Sequence, residues 1–567
     1  MLPKPAYPDA RYPDIGNPDL LVRIPLAARV VLDVGCHTGA LGAAYKARNP
    51  RARVLGIEAD PAAAAIAATR LDAVAAVDLE ADPLPFDLPD GLDCIVYGDV
   101  LEHLRDPWAV LARQMTALNR DGTLLICVPN VEHWSFAARL LRGDWDYEAS
   151  GLFDATHLRW FTSRSLRAEL ERLGFSVCDV TPRIFTRAAA AAFLDAVAPT
   201  LQALGVDAEE YAARALPLQY IWRAQREPRP ALHVVATMLA PIGGVSDVRI
   251  VYPQRAIATD PTVVTSISAI TDFPSLPADT PKICVLHRPV LNGAAGRATL
   301  KYLLDQHWLI VTEFDDHPDH FPAMRVSEQY SFSGVHAVQA STEELGKILR
   351  ARNPEVAVFP NAMRALPEPR NFSDMENLTF FFGALNRQGD WAEFLPTLNQ
   401  VAAVAREKLK FRIVHDQTLF AALASPHKEF FPTCDHETYL DLLGTSEIAF
   451  MPLADTAFNR AKSDLKFIEA AACRAAALAS PVVYAGSIED GRTGVLFRSA
   501  EELRMRLLQL VAFPEMARDI ADAARAHVTE NRMLAYQVES RIGWYRALWE
   551  RRAELTAALL ARVPELG

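Results

Sequence analysis

Apolar positions along this chain recur in two rhythms. Short runs rich in β-branched residues, at 29–34, 54–58, 74–78, 94–97 and 123–128, predict strands. Between them lie segments of helical spacing, such as Val110, Leu111, Met115 and Leu118 within 106–119. The run 123–128 is apolar throughout, as expected of a strand covered on both faces in a parallel sheet. Thr162 is placed to cap a helix that runs to Leu173 and stops at Gly174, and 175–180 adds a closing strand. This alternation predicts a doubly wound α/β domain over residues 1–185.

The pattern then changes. Residues 186–229 are poor in β-formers, and 188–197 and 208–216 read as helices of a connector. A second α/β block, 230–365, carries strands at 232–238, 283–287, 308–312, 335–339 and 356–359. A third, 366–567, carries strands at 378–382, 411–414, 448–451 and 477–480, and ends in long charged helices at 514–530 and 533–552. A length of 567 residues is itself too great for one core.

Composition narrows the classes. With 50% hydrophobic and 23% charged residues the chain is globular, and its net charge of −12 argues against a nucleic-acid partner. The seven cysteines are odd in number and form no C-x-x-C pair, which suits reduced thiols of a cytoplasmic protein. The N-terminal segment is broken by prolines and does not read as a secretory signal. The most apolar stretch, 467–484, is cut by Glu469, Arg474 and Pro481, so no membrane span is expected.

The strongest chemical signal is VLDVGCHTG at 31–39, a strand ending in Asp33 and a Gly35-x-x-x-Gly39 turn that opens a helix. A dinucleotide fingerprint places glycine where this chain has His37, so the turn favours a nucleoside without phosphates. Glu58 ends the second strand, where a carboxylate accepts from ribose hydroxyls. Asp78 and Leu79 end the third, and Asp99 follows the fourth. All lie at carboxyl ends of strands, where open α/β sheets bind ligands.

With GIEAD (56–60), DLEADPLPF (78–86), GDVLEHLRDPW (98–108), LLICVPNVEHW (124–134) and GLFDATHLRWFT (151–162), this block resembles the class I S-adenosylmethionine-dependent methyltransferases. The last two motifs resemble the subgroup found with polysaccharide and secondary-metabolite clusters. The resemblance implies a Rossmann-like domain. It also implies that Asp33, Gly35 and Gly39 hold the methionine portion, Glu58 the ribose and Asp78–Leu79 the adenine, with Asp99 beside the sulfonium. An alcohol acceptor must lose a proton, and His103, His133 and His157 are the candidate bases; each suits a structural role equally well. Arg159 and Trp160 are either acceptor-pocket residues or a packing pair.

A second constellation follows the strand at 448–451. Lys462, Ser463 and Lys466 gather at a helix start, a favourable place for a diphosphate, and Glu469 lies one turn on; a solvated helix start with an i, i+3 ion pair reads equally well. With FPN (359–361), FGALNR (382–387) and TGVLF (493–497), this region resembles family 4-like glycosyltransferases of the two-lobed GT-B fold. The resemblance implies a nucleotide-sugar donor held by Gly383, Arg387, Lys462, Ser463, Lys466 and Glu469, and a terminal helix that crosses back to the first lobe. The family's first glutamate is missing: position 461 is alanine. Glu313, Asp315 and Asp316 suit a divalent cation, an acceptor sugar, or no more than a polarised loop. No metal is expected, because basic residues and a helix terminus neutralise a leaving diphosphate. Together these readings describe a bifunctional transferase acting on a saccharide or glycosylated product in polysaccharide biosynthesis. The alternative is a methyltransferase whose C-terminal half is a carbohydrate-docking module.

Overall fold

The computed structural model describes residues 14–185, 187–238, 244–268, 273–369, 371–372 and 375–567. The chain divides into two compact units, Met1–Pro230 with Ala258–Thr262, and Ala231–Ile257 with Val263–Gly567.

The first unit is built on a seven-stranded sheet of β1 (Val30–Val34), β2 (Arg53–Ile57), β3 (Ala73–Ala75), β4 (Leu92–Gly98), β5 (Leu118–Pro129), β6 (Ser176–Arg183) and β7 (Gln219–Gln225). Their order is β3-β2-β1-β4-β5-β7-β6. β7 runs antiparallel to β5 and β6; the remaining pairs are parallel. The chain reverses direction across the sheet between β1 and β4, which opens a crevice at their carboxyl ends. Leu124, Ile126 and Val128 pack one face, with Trp222 of β7. The segment expected to be a helical connector is helical over Arg187–Ala203 and Ala208–Ala215, but it ends in β7 and so belongs partly to this sheet. Its apolar run is interrupted by Arg223, whose buried guanidinium is met by Asp179 of β6 at 2.5 Å. β3 stops at Ala75, so Asp78 stands in the loop beyond it and not at the strand end.

The second unit has two lobes. The first lobe holds β8 (Leu232–Thr237), β9 (Val263–Ser268), β10 (Lys282–His287), β11 (Leu309–Phe314), β12 (Ala337–Ala340) and β13 (Val356–Val358), in the order β13-β12-β11-β10-β8-β9. The second lobe holds β14 (Leu378–Gly383), β15 (Leu409–Val414), β16 (Lys428–Phe431), β17 (Ile448–Met451), β18 (Ala476–Ala479) and β19 (Val495–Leu496), in the order β16-β15-β14-β17-β18-β19. Every pair in both sheets is parallel. The terminal helices Val538–Glu550 and Arg552–Arg562 return to the first lobe. There Tyr545 Oη donates to Gln339 at 2.9 Å, and Leu559, Val563 and Leu566 complete a core with Leu300 and Ile310.

Candidate functional site

In the first unit, β1 delivers Asp33 to the crevice and the chain turns at once through Gly35 at φ +70°. A Cβ there would fall 2.5 Å from Val100, so only glycine lets the loop lie this close to the turn after β4. Glu58 joins two loops: it accepts from the His37 N–H at 2.8 Å and from the Asp60 N–H at 2.9 Å. Asp33 is buried, and its Oδ2 has no hydrogen-bond partner. Burial first, and then the Glu58 charge, push its carboxyl up to about 7. Gly39, also at positive φ, opens the helix Ala40–Arg48. Asp78 accepts from the Glu80 N–H at 2.9 Å, and the Leu79 carbonyl accepts from Arg113.

Past β4, Asp99 adopts φ 57° and accepts from the Gln219 amide. Asp99 keeps contact with solvent, and partial desolvation by the surrounding protein raises its carboxyl above the usual range. The next turn, Leu101–His103, carries Glu102, which is 1% exposed with no hydrogen-bond partner for either oxygen. Burial, and then Asp99, push its carboxyl well above the ordinary range. His103 lies beside His157, ring centroids 4.9 Å apart. The Thr156 hydroxyl donates to Asp154 at 2.7 Å and so accepts from His103 Nδ1 at 2.9 Å. That chain places a proton on His103 Nδ1. His157 is held below the usual range by burial and then by the His103 charge. Beside it Trp160, Phe136, Trp145 and Phe153 form an aromatic group, with Trp160 5.6 Å from the His157 ring. The Arg159 guanidinium turns to the Arg105 carbonyl.

His133 has a different task. It caps the helix Trp134–Arg142 by accepting from the Ser135 N–H at 3.4 Å, and burial pushes it down to about 4. Its place in the motif suggested a base; its geometry makes it a neutral cap.

In the second unit, Gly383, Arg387, Lys462, Ser463, Lys466 and Glu469 all line one cavity of about 310 Å³. β14 ends at Gly383, where a Cβ would lie 2.6 Å from the Tyr439 ring. Arg387 is held by Asp390 at 3.1 Å and by Asn459 at 3.2 Å. Ser463 accepts from Asn361 at 2.7 Å. Lys466 donates to the Tyr439 hydroxyl at 2.8 Å and lies 3.7 Å from Glu469. Partial desolvation at the cavity wall lowers the affinity of this ammonium for its proton. Tyr252 is bonded to His436 at 3.1 Å, and His436 Nε2 donates to Glu469 at 2.7 Å. Burial works to raise the Glu469 carboxyl, but Lys466 and His436 outweigh it and hold the group below its usual range.

The acidic residues Glu313, inside the end of β11, and Asp315 and Asp316, just past it, are each matched by a cation. Glu313 pairs with Arg249 at 2.7 Å, Asp315 with Arg288 at 2.6 Å, and Asp316 with Arg288 at 2.9 Å and Lys462 at 3.0 Å. Asp315 and Asp316, with Arg288 and Lys462, form a salt-linked wall of the cavity, and Glu313 is fully buried against Arg249. His287, just before Arg288, is buried and faces no solvent.

Residues 16–180 match the family model described as a methyltransferase domain, and residues 393–540 the one described as glycosyl transferase-like. The chain joins a methyltransferase domain to a glycosyl transferase-like domain. It is 35% identical over 126 residues to the trans-aconitate 2-methyltransferase of Methylobacterium nodulans, covering 22% of this chain and 47% of that protein. It is 33% identical over 113 residues to that of Escherichia coli K12 / DH10B, covering 20% and 44%. The chain thus spans less than half the length of these curated relatives. Among solved structures, a glycosyltransferase from Rickettsia africae ESF-5 aligns over 56% of this chain and 99% of its own, with 14% identity and a TM-score of 0.40. A SAM dependent methyltransferase from Archaeoglobus fulgidus aligns over 35% and 85%, with 18% identity and a TM-score of 0.24.

Within the methyltransferase domain the structure brings Asp33, the glycine turn and Glu58 together, and separately His103 with His157. Sequence reasoning missed Glu102 as a site residue, although its place directly after β4 and before His103 was a usable signal. It also missed Gln219, which arrives on β7. In the glycosyl transferase-like domain it missed His436 and Tyr439, for which the sequence offers no motif.

Proposed function

We propose that the chain is a two-site transferase. The first unit methylates an oxygen of a saccharide or glycosylated product from S-adenosylmethionine, and the second transfers a sugar from a nucleotide-sugar donor. The observation that carries the first half is the Glu58 carboxylate clamped beside a glycine turn in which His37 replaces the phosphate-binding glycine. Those residues fit the cofactor. Asp33 has a buried oxygen without a partner, suited to an ammonium or hydroxyl donor, and the turn leaves backbone open to close approach. On this reading Asp33, Gly35 and Gly39 hold the methionine portion, Glu58 the ribose diol, and Asp78 and Leu79 the adenine. S-adenosylmethionine supplies, when bound, a methyl already activated on a sulfonium. The protein's work is then alignment and handling of the acceptor's proton. Asp99, His103 and His157 form the polar end of the acceptor region, and the Trp160 group supplies the flat apolar surface that suits a sugar face.

The second half rests on the convergence of Arg387, Lys462 and Lys466 in one cavity with Glu469. Three cations there suit a diphosphate, and Glu469 suits ribose hydroxyls. Seven cysteines with no C-x-x-C pair suit a reducing, cytoplasmic setting, and among the described residues no helix is long and apolar enough to cross a membrane. A role in polysaccharide or glycoconjugate assembly follows from the pairing of the two chemistries.

A second reading has one observation in its favour. Ala461 is fully buried and offers no carboxylate where the resembled family has one, which suits a docking module. Nucleotide-sugar turnover separates the two. Sustained hydrolysis or transfer, lost in Lys466→Ala and Glu469→Ala, supports the transferase; no donor binding at all supports docking. Mass spectrometry of the product saccharide, with a methyl and a hexose-type increment sought together, tests the whole proposal.

A further inference from the structure

We infer that Glu102, His103 and His157 form a divalent-cation site at the acceptor end of the methyltransferase unit. One ligand atom from each lies within 4.8 Å of the other two. A bound cation with bonds of roughly 2.0–2.2 Å draws such atoms somewhat closer, a movement that side-chain rotation supplies.

Three features make the cluster a built site. The first is Glu102, almost wholly buried with both oxygens unpartnered. A buried carboxyl without a donor is costly, and a cation is the partner that offsets the cost. The second is the backbone. Glu102 and His103 share one turn, and the Glu102 carbonyl accepts from the Leu158 N–H at 2.7 Å and the Arg159 N–H at 3.0 Å. The loop that carries His157 is thereby tied to the turn that carries its two partners. The third is the chain Asp154–Thr156–His103, which fixes one imidazole from behind, as a carboxylate behind a histidine ligand commonly does.

Two imidazoles and one carboxylate favour borderline cations such as Zn²⁺, Fe²⁺ or Co²⁺ over Mg²⁺ or Ca²⁺. Three protein ligands leave open positions. The deepened role rests on the proposed methylation of an oxygen: an acceptor hydroxyl bound to the cation is acidified, its O–H pair stays on oxygen, and the proton passes to solvent or to Asp99. The sequence pattern points to a metal only at Glu313, Asp315 and Asp316, where basic residues and a helix terminus make one unnecessary.

The test uses the full chain, freed of metal by a chelator and titrated with Co²⁺, with uptake read by visible absorption and by calorimetry. Uptake of one equivalent per chain is expected, weakened at least tenfold in Glu102→Gln and in His157→Ala. S-adenosylmethionine binding measured on the same variants reports an intact fold. No uptake by wild type, or equal uptake by wild type and both variants, overturns the site. Co²⁺ uptake that survives in Glu58→Ala separates the two claims, since the cofactor reading can then fail without taking the cation site with it.

Discussion

The Lys462 ammonium donates to the Asp316 carboxylate at 3.0 Å, linking the second lobe of the second unit to the first. Burial already lowers the proton affinity of this lysine, and Arg288 shares the same carboxylate. A diphosphate entering the cavity competes with Asp316 for Lys462. Replacing the lysine removes one charge-assisted contact of ~1.5–3 kcal/mol. Lys462→Ala is therefore expected to weaken UDP or GDP binding by roughly ten- to hundredfold. Asp316→Asn, which releases the ammonium, is expected to tighten it. Calorimetry with both nucleotides checks the pair; unchanged binding in both variants contradicts the placement of the diphosphate.

Asp33 makes the first unit less stable as pH rises from about 4 to neutrality. Its carboxyl is raised to about 7 in the fold, against about 3.9 in an unfolded chain. The unfolded state releases this proton first, so the contribution to stability is complete below pH ~4 and is lost as pH rises through ~7. Three units correspond to about 4 kcal/mol as an upper bound. Asp33→Asn is expected to stabilise the first unit at pH 8 and to change it little at pH 4, while weakening cofactor uptake. Denaturant unfolding at the two pH values, read on the first unit's transition, measures the difference; an equal effect at both contradicts the account.

The strand–helix order was legible because most strands of both units are short apolar runs with glycine or acidic ends. β7 was not, because Arg223 and Gln225 break its apolar pattern and are satisfied only by neighbours that folding brings up. β16 was hidden for a related reason: Glu429 sits in it, paired with Lys410 and Arg412 of β15. Glu58 and the six cavity residues could be read from position, since strand ends and helix starts fix where their side chains emerge. His133 could not be told from His103 and His157, because each lies in a motif of its own and nothing in the three motifs separates a cap from a ring that faces another. Only the tertiary structure shows that one caps a helix and two face each other.

The terminal helices are expected to stabilise the first lobe of the second unit. Leu559 is fully buried in that lobe's core. Leu559→Ala leaves a cavity and is expected to cost ~2–5 kcal/mol, lowering the midpoint of the second unit's unfolding without touching S-adenosylmethionine binding. A midpoint equal to wild type contradicts the packing of this helix.

The most direct measurement is calorimetric titration of the full chain with S-adenosylmethionine, alongside Glu58→Ala and Lys466→Ala. The account predicts one equivalent bound by wild type, binding lost in Glu58→Ala, and binding retained in Lys466→Ala. Absence of binding to wild type, or equal binding to wild type and Glu58→Ala, would contradict it.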